Sequence, residues 1–291
     1  MLQQGCRSST ERPLTPQISP RSDQVSTVMF ELSEHEDTDC FAAEKIGEHL
    51  LWLQIAEDDF NAEKKTLFAT MIWHGARALS NYLASDVSDF IKGKSIIEFG
   101  AAAGLPSLTC YKIGASTITS TDYPASAIIF NLRRNAVRNV FSSSSHYNGS
   151  SYSSSSSSNS AADHKSAKND ELLLNEKNFY VKEHIWGSDV TSLLEPTAGN
   201  LYDIVIAAEC LWKSDTHEDF ASSICAVLKR GGTAYLSFSH HIPGLEKNDL
   251  NFFDLLCKKH FSVVSIKEVC VPHMWSDKAA TVYIYEVIKD F

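Results

Sequence analysis

The chain has 291 residues with 36 acidic against 26 basic side chains, a formal charge of −10 and a pI near 5.5. With 43% hydrophobic and 21% charged residues it has the composition of a soluble globular enzyme. The charge argues against a broad basic face for nucleic-acid phosphates, but not against action on a basic protein partner. No apolar run approaches the ~20 residues of a bilayer span. The N-terminal MLQQGCRSST lacks the apolar core of a secretory signal. Seven scattered cysteines, never spaced C-x-x-C, read as reduced thiols rather than a disulfide frame or zinc site. The expectation is a cytoplasmic protein with no metal centre and no membrane partner.

In chain order, residues 1–28 are a Ser/Thr/Pro/Gln/Arg tail with too few apolar side chains to offset the entropy of ordering, and are expected to be disordered. Residues 29–90 are expected to form a helical N-terminal extension, and residues 91–291 a single α/β domain. Residues 95–99 read as a buried strand ending at Gly100, residues 105–113 as a helix stopped by Gly114. A strand over 117–121 and a helix over 124–139 follow. Residues 142–170 carry a serine tract and read as a disordered surface insertion, which a domain tolerates because loop closure grows only by ~0.6 kcal/mol per doubling.

Strands are expected at 179–185, 202–208 and 233–239, with a helix over 215–229 ended by Gly231-Gly232. A helix over 249–259 and strands at 261–270 and 281–287 complete the pattern. Seven strands in a βαβα rhythm imply a mostly parallel sheet with helices on both faces, one of the last two strands running antiparallel.

The strongest local signal is Ile97-Glu98-Phe99-Gly100-Ala101-Ala102-Ala103-Gly104-Leu105-Pro106, a strand, a small-residue turn and a helix. A dinucleotide fingerprint needs glycine where Ala102 stands, and a Walker loop needs Gly-Lys-Ser/Thr where Gly104-Leu105-Pro106 stands. The loop therefore suits a compact ligand without a phosphate. Asp122, 22 positions after Gly100, has two readings: a ribose-diol acceptor, or the N-cap of the helix beginning at Pro124.

Glu98-x-Gly100-x-Ala102-x-Gly104 resembles motif I of the seven-strand S-adenosylmethionine-dependent methyltransferases. The likeness is closer still to the family-16 methyltransferases, which include lysine methyltransferases, a fungal modifier of translation elongation factor one-alpha, and proteins described as nicotinamide-methyltransferase-like. Supporting blocks are Ile72-Trp73-His74-Gly75-Ala76-Arg77, Thr121-Asp122-Tyr123-Pro124, Asn131-Leu132-Arg133-Arg134-Asn135, Ile185-Trp186-Gly187 and Ser239-His240-His241-Ile242-Pro243. The resemblance implies a Rossmann-like methyltransferase domain over 91–291 and S-adenosyl-L-methionine as cofactor. It places Trp73 near the methionine end of the cofactor and wraps Gly100, Ala101 and Ala102 around the methionine portion and ribose. It sets Asp122 on the ribose diol, Trp186 on the adenine and Ala208 against the cofactor through its backbone. Each Trp has the alternative of a core anchor.

Related lysine methyltransferases often carry Asp-x-x-Tyr or Asp-x-x-Phe after the fourth strand, where this chain has Glu209-Cys210-Leu211-Trp212. Glu209 and Trp212 are the catalytic candidates, a carboxylate for an incoming ammonium and an aromatic face for cation–π attraction. The alternative has Glu209 capping a turn and Trp212 covering the core. His240 and His241 stand on the expected substrate edge. The resemblance implies methylation of a protein lysine or N-terminal amine, with a translation factor as the expected kind of substrate. A small-molecule N-methyltransferase and a silent cofactor-pocket protein that binds a partner are the competing readings.

Overall fold

The computed structural model describes residues 42–56, 69–141, 161–272 and 279–290, the side chains of 161–168 excepted. The tail over 1–28 and most of the serine insertion lie outside the described residues. The described residues begin with a hairpin, β1 (Ala42–Ile46) and β2 (His49–Leu53), followed by α1 (His74–Ser85) and the short α2 (Ser88–Ile91). The central unit runs β3 (Ser95–Phe99), α3 (Leu105–Ile113), β4 (Thr117–Asp122), α4 (Ser126–Phe141), α5 (Ala161–Glu176) and β5 (Phe179–Glu183). It continues with α6 (Thr191–Leu194), β6 (Tyr202–Ala208), α7 (His217–Val227), β7 (Leu228–Phe238), α8 (Glu246–Lys258), β8 (Phe261–Pro272) and β9 (Ala279–Lys289).

The expected seven-strand Rossmann-like sheet is present, in the order β5-β4-β3-β6-β7-β9-β8. Strands β5, β4, β3, β6 and β7 are mutually parallel, and β9 alone is reversed, pairing antiparallel with both β7 and β8. Side-chain alternation along the strands divides the core in two. Ile96, Ile204 and Ile206 meet Leu79, Leu83, Leu108 and Leu132 of α1, α3 and α4. Ile97, Val205 and Ala207 meet Phe220, Ile224, Phe252 and Leu256 of α7 and α8. From β3 the chain winds outward through β4 to β5, then returns to place β6 on the other side of β3. That reversal opens a crevice between the carboxyl ends of β3 and β6, where ligands of open α/β sheets bind.

Three local expectations need correction. Residues 42–53 of the expected helical extension form the β1–β2 hairpin, although Ala42-Ala43-Glu44-Lys45 favours a helix by propensity. Ile46 pairs with His49 across a two-residue turn whose first residue, Gly47, has φ +55°, the geometry of favoured hairpin turns. The outer edge of β2 is closed by three asparagines one turn apart on α4. Asn139 accepts from Trp52 N at 2.9 Å and donates to Trp52 O at 2.7 Å, while Asn135 does the same for Gln54 N and O at 2.8 Å each. Asn131 also donates to Gln54 O at 2.8 Å. These bonds satisfy strand-edge groups that a neighbouring strand would otherwise take.

The second correction concerns residues 161–170, which belong to α5 rather than to the insertion. The helix continues to Glu176 and is anchored by the fully buried Leu174. The third is Gly231-Gly232, which lie inside β7 and do not end a helix. A methyl group on Gly232 would lie 2.9 Å from Asp203 O, and the register shifts at this point between Tyr202 and Ile204, so glycine serves a strand bulge.

Candidate active site

The loop leaving β3 turns sharply because Gly100 and Gly104 have φ +65° and +81°. A Cβ on Gly100 would lie 2.6 Å from Cys210 Sγ, and one on Gly104 the same distance from Leu132 Cδ1, so neither position accommodates a side chain. Ala102 adopts φ +47°, a left-handed conformation that costs an alanine ~1–2 kcal/mol. Its backbone N–H donates to Asp122 Oδ2 at 2.7 Å, while Asp122 Oδ1 accepts from Tyr123 N at 2.7 Å. Asp122 therefore braces the loop, and α4 begins only at Ser126, so the N-cap alternative is not realised. Each Asp122 oxygen retains one lone pair beyond these bonds.

Glu98, 1% exposed at the floor of the crevice, accepts from Ser107 N at 3.0 Å at the start of α3. Burial pushes its pKa up to about 8, with the charge of Asp122 adding to the effect and the Ser107 bond opposing it. Burial likewise raises Asp122 to about 6 against the stabilising N–H bonds of Ala102 and Tyr123. Met71, Ile72, Trp73 and Ala76 form one wall of a recess, with Glu98, Gly100, Ala101, Ala102, Ala103 and Ala208 around the rest. Of the sequence-predicted residues, Trp73, Gly100, Ala101, Ala102 and Ala208 thus share one recess, and Asp122 bonds to its loop. Trp186 stands just outside this lining. It packs on Phe220 with ring centroids 4.4 Å apart, and a Cβ on Gly100 would be 3.8 Å from its Cζ2. The Trp186-Gly187 turn is fixed by Gly187 N donating to Ser223 Oγ of α7 at 2.8 Å, and the same hydroxyl meets His184 Nε2 at 3.0 Å.

Glu209 is the hub of the other side of the crevice. It is 8% exposed, has φ +56°, and follows the last residue of β6. Its Oε1 accepts from Gly75 N and Ser239 Oγ, each at 3.0 Å. Its Oε2 accepts from Ser239 N at 3.0 Å and from His241 Nε2 at 2.9 Å. Four donors fill the four lone-pair positions of a carboxylate. Glu209 therefore ties the start of α1 to the segment after β7, and an incoming ammonium would have to displace one of these donors. Gly75 is required here because a Cβ would lie 2.5 Å from Glu209 Oε1. Arg77, one helical step on, forks onto the buried Glu44 of β1 through Nε at 3.0 and 3.1 Å and donates to Ile72 O at 2.6 Å. The Trp-His-Gly-Ala-Arg block thus holds the Trp73 wall at both ends.

Trp212 lies in a second, neighbouring recess with Ser214, His241, Ile242, Leu245, Asn248 and Asp249. His241 joins the two recesses, its ring edge-on to Trp73 with centroids 5.0 Å apart. Burial disfavours its charged form, but the hydrogen bond and charge of Glu209, with the charge of Asp249, outweigh that and raise its pKa. His240 turns the other way, bonding Asp249 Oδ2 through Nδ1 at 2.7 Å. Cys210 is a buried thiol that packs under Gly100 and donates to Phe99 O at 3.5 Å. Sequence reasoning missed Glu98, Gly75 and the hub around Glu209. Glu98 and Gly75 stand inside quoted motifs, but the bonds among Glu209, Gly75, Ser239 and His241 span separations with no sequence signature.

No family model matches the chain. The protein N-terminal and lysine N-methyltransferase EFM7 of Yarrowia lipolytica is 32% identical over 193 residues, 65% of this chain and 63% of the relative. Proteins of the same name from Gibberella zeae and Schizosaccharomyces pombe are 28% and 26% identical, covering 68% and 70% of this chain and 67% and 68% of their own. The chain is similar in sequence to these fungal proteins over about two thirds of its length. It spans 63% and 64% of the lengths of the Yarrowia lipolytica and Debaryomyces hansenii relatives. Among solved structures, a magnesium protoporphyrin IX methyltransferase from Synechocystis PCC 6803 with bound SAH gives a TM-score of 0.45 at 13% identity, over 74% of this chain and 82% of that one. Among the described residues no helix is long and apolar enough to cross a membrane. No cluster of three or more His, Cys, Asp or Glu among them is arranged to hold a metal.

Proposed function

We propose that this chain is an S-adenosylmethionine-dependent N-methyltransferase acting in the cytoplasm on a protein lysine or N-terminal amine. The observation that carries the reading is the recess at the sheet reversal, where the glycine loop, Trp73, Ala208 and the buried Glu98 surround a space with no phosphate cradle, and Asp122 bonds to that loop. The cofactor supplies a methyl group on a cationic sulfonium. Gly100, Ala101 and Ala102 would hold its methionine portion and ribose through backbone groups, with the remaining lone pairs of Asp122 available to the ribose hydroxyls. Trp186, beside Gly100, is proposed for the adenine. Glu98 would balance the cationic end of the cofactor from below.

The acceptor amine is proposed to enter through the neighbouring recess, against Trp212. Ile242 and Leu245 at its lining are 48% and 44% exposed, an apolar surface suited to flanking residues of a protein. Methyl transfer is an in-line displacement, so the chain must align a neutral nitrogen with the methyl group and exclude water. Glu209 contributes by fixing Trp73, Ser239 and His241 in one wall, and its role is positioning rather than direct contact with the ammonium. The test is incubation of the purified chain with radiolabelled S-adenosylmethionine and a lysate of cells lacking it. Label in a discrete protein band is expected. Label confined to small molecules would assign a metabolite substrate, and binding of NADH without S-adenosylhomocysteine would overturn the cofactor.

A further inference from the structure

We propose that His241 is the proton acceptor for an N-terminal α-ammonium seated in the recess beside Trp212, with Glu209 holding its ring. This rests on the methyltransferase reading and names the acceptor class for the same site. Three independent contacts define the imidazole. Glu209 Oε2 takes the Nε2 proton at 2.9 Å, which leaves Nδ1 as the basic nitrogen. Trp73 packs edge-on and links it to the cofactor recess, while its own surface lines the recess of Trp212 and Asp249. The side chain retains 23% exposure, a route for a proton to solvent.

The titratable groups facing His241 are Glu209 from the end of β6 and Asp249 from α8, both of which favour its charged form. His240, its neighbour in sequence, bonds to Asp249. From the segment before α1 the packing partner is the uncharged Trp73. A histidine raised above its ordinary value is matched to an α-ammonium of pKa about 7.7–8.0 and poorly matched to a lysine at about 10.4. In the step, one ammonium N–H bond breaks and its proton bonds to Nδ1. The electron pair stays on nitrogen as the lone pair that methylation requires. Release of the proton from Nδ1 to water restores the neutral ring.

The first measurement is histidine-ring NMR of the ligand-free protein over pH 5–9, the His241 signal being assigned by its loss in His241→Gln. It should titrate above 6.5, and Glu209→Gln should move its midpoint down. A ring that does not titrate, or one insensitive to Glu209, overturns the proposal.

The second is label transfer to the protein band as a function of pH, with the modified amine located by peptide mass spectrometry. Gln can still donate to Glu209 but accepts no such proton, so His241→Gln should lose about tenfold at pH 7. That is the shortfall of neutral α-amine at that pH, and it should vanish by pH 9. His241→Asn, with folding verified by its melting transition, should follow the same profile. A pH-independent loss, a profile equal to wild type, or methylation only at lysine refutes the role. Failure of the wild type to label any protein would instead remove the protein-methyltransferase reading on which the inference rests.

Discussion

Glu209→Gln tests the hub most directly because it keeps size and shape while removing half of the acceptor capacity. The carboxylate receives Gly75 N and Ser239 Oγ on one oxygen and Ser239 N and His241 Nε2 on the other. A glutamine presents one oxygen and one NH2. Ser239 can rotate its hydroxyl and His241 can change tautomer, so two donors can adapt, but a backbone N–H cannot. With the amide in one orientation Ser239 N–H faces a donor, and in the other Gly75 N–H does. One backbone donor is therefore stranded in either case, at a cost of about 1–3 kcal/mol. In a domain of this size each kcal/mol moves the melting temperature by about 2–4 °C, so a fall of ~2–12 °C is expected in thermal denaturation. Cofactor affinity should weaken in parallel, since Gly75 anchors the Trp73 wall. A melting temperature within about 1 °C of wild type would refute the four-donor account of Glu209.

Gly75→Ala places a methyl group 2.5 Å from Glu209 Oε1 and should break the same hub, lowering stability by about 1–3 kcal/mol; an unchanged denaturant midpoint would contradict it. Asn135→Ala removes the bonds to Gln54 N and Ala103 O, while Gln54 O keeps Asn131, and a loss of about 1–3 kcal/mol is expected by urea unfolding. Asp122→Ala should weaken S-adenosylhomocysteine by about 1–3 kcal/mol in calorimetry, and equal affinity would take Asp122 out of the site. Asp122 and Glu98 have folded-state pKa values raised to about 6 and about 8. The folded chain thus binds more protons than the unfolded one between about pH 4 and 8, so ligand-free stability falls as pH rises through that window. A cationic ligand favours the ionised carboxylates, so the melting-temperature gain from S-adenosylmethionine should grow from pH 6 to 8, and a constant gain would dissociate it from these groups.

The sheet was readable because strands such as β3 and β6 carry compact apolar runs, and because Gly100 and Gly114 punctuate the first βαβ unit where the chain does turn left-handed. What could not be read was set by distant partners. Nothing local in residues 42–46 outweighs their helical propensity. The hairpin holds because Glu44 meets Arg77 and because asparagines some 80 positions away satisfy the edge of β2. Gly231-Gly232 looked like a helix stop because helix termini and strand bulges use the same residue, and only the approach of Asp203 O distinguishes them. At the site, Trp73, Gly100, Ala101, Ala102 and Ala208, far apart in sequence, line one recess, while the bonds of Glu209 follow no local pattern. Its type suggests an ammonium ligand, while four donors from two segments, the start of α1 and the stretch after β7, occupy its carboxylate.

Two residues without the freedom of glycine are left-handed at the carboxyl ends of neighbouring strands, Ala102 after β3 and Glu209 after β6. The other non-glycine cases among the described residues, Asn178, Ala198 and His260, follow helical segments, where such a conformation commonly ends the last turn. Ala102 and Glu209 end no helix, so their strain of the order of 1–2 kcal/mol each must be held by bonds and packing. Asp122 takes the N–H of Ala102, whose methyl group packs against a small cluster of Ala56, Ala69 and Ile128. Glu209 is held by its own carboxylate. The hairpin, α1, β4 and β7 thus converge on the two turns that bound the crevice, and Asn135 joins Gln54 directly to Ala103 of the glycine loop. A change in the hairpin should therefore be felt at the cofactor recess before it is felt in the sheet. Binding of S-adenosylhomocysteine to Asn135→Ala should weaken at temperatures where its far-ultraviolet dichroism is still native, and simultaneous loss of both would mean that the hairpin supports the whole domain rather than the loop.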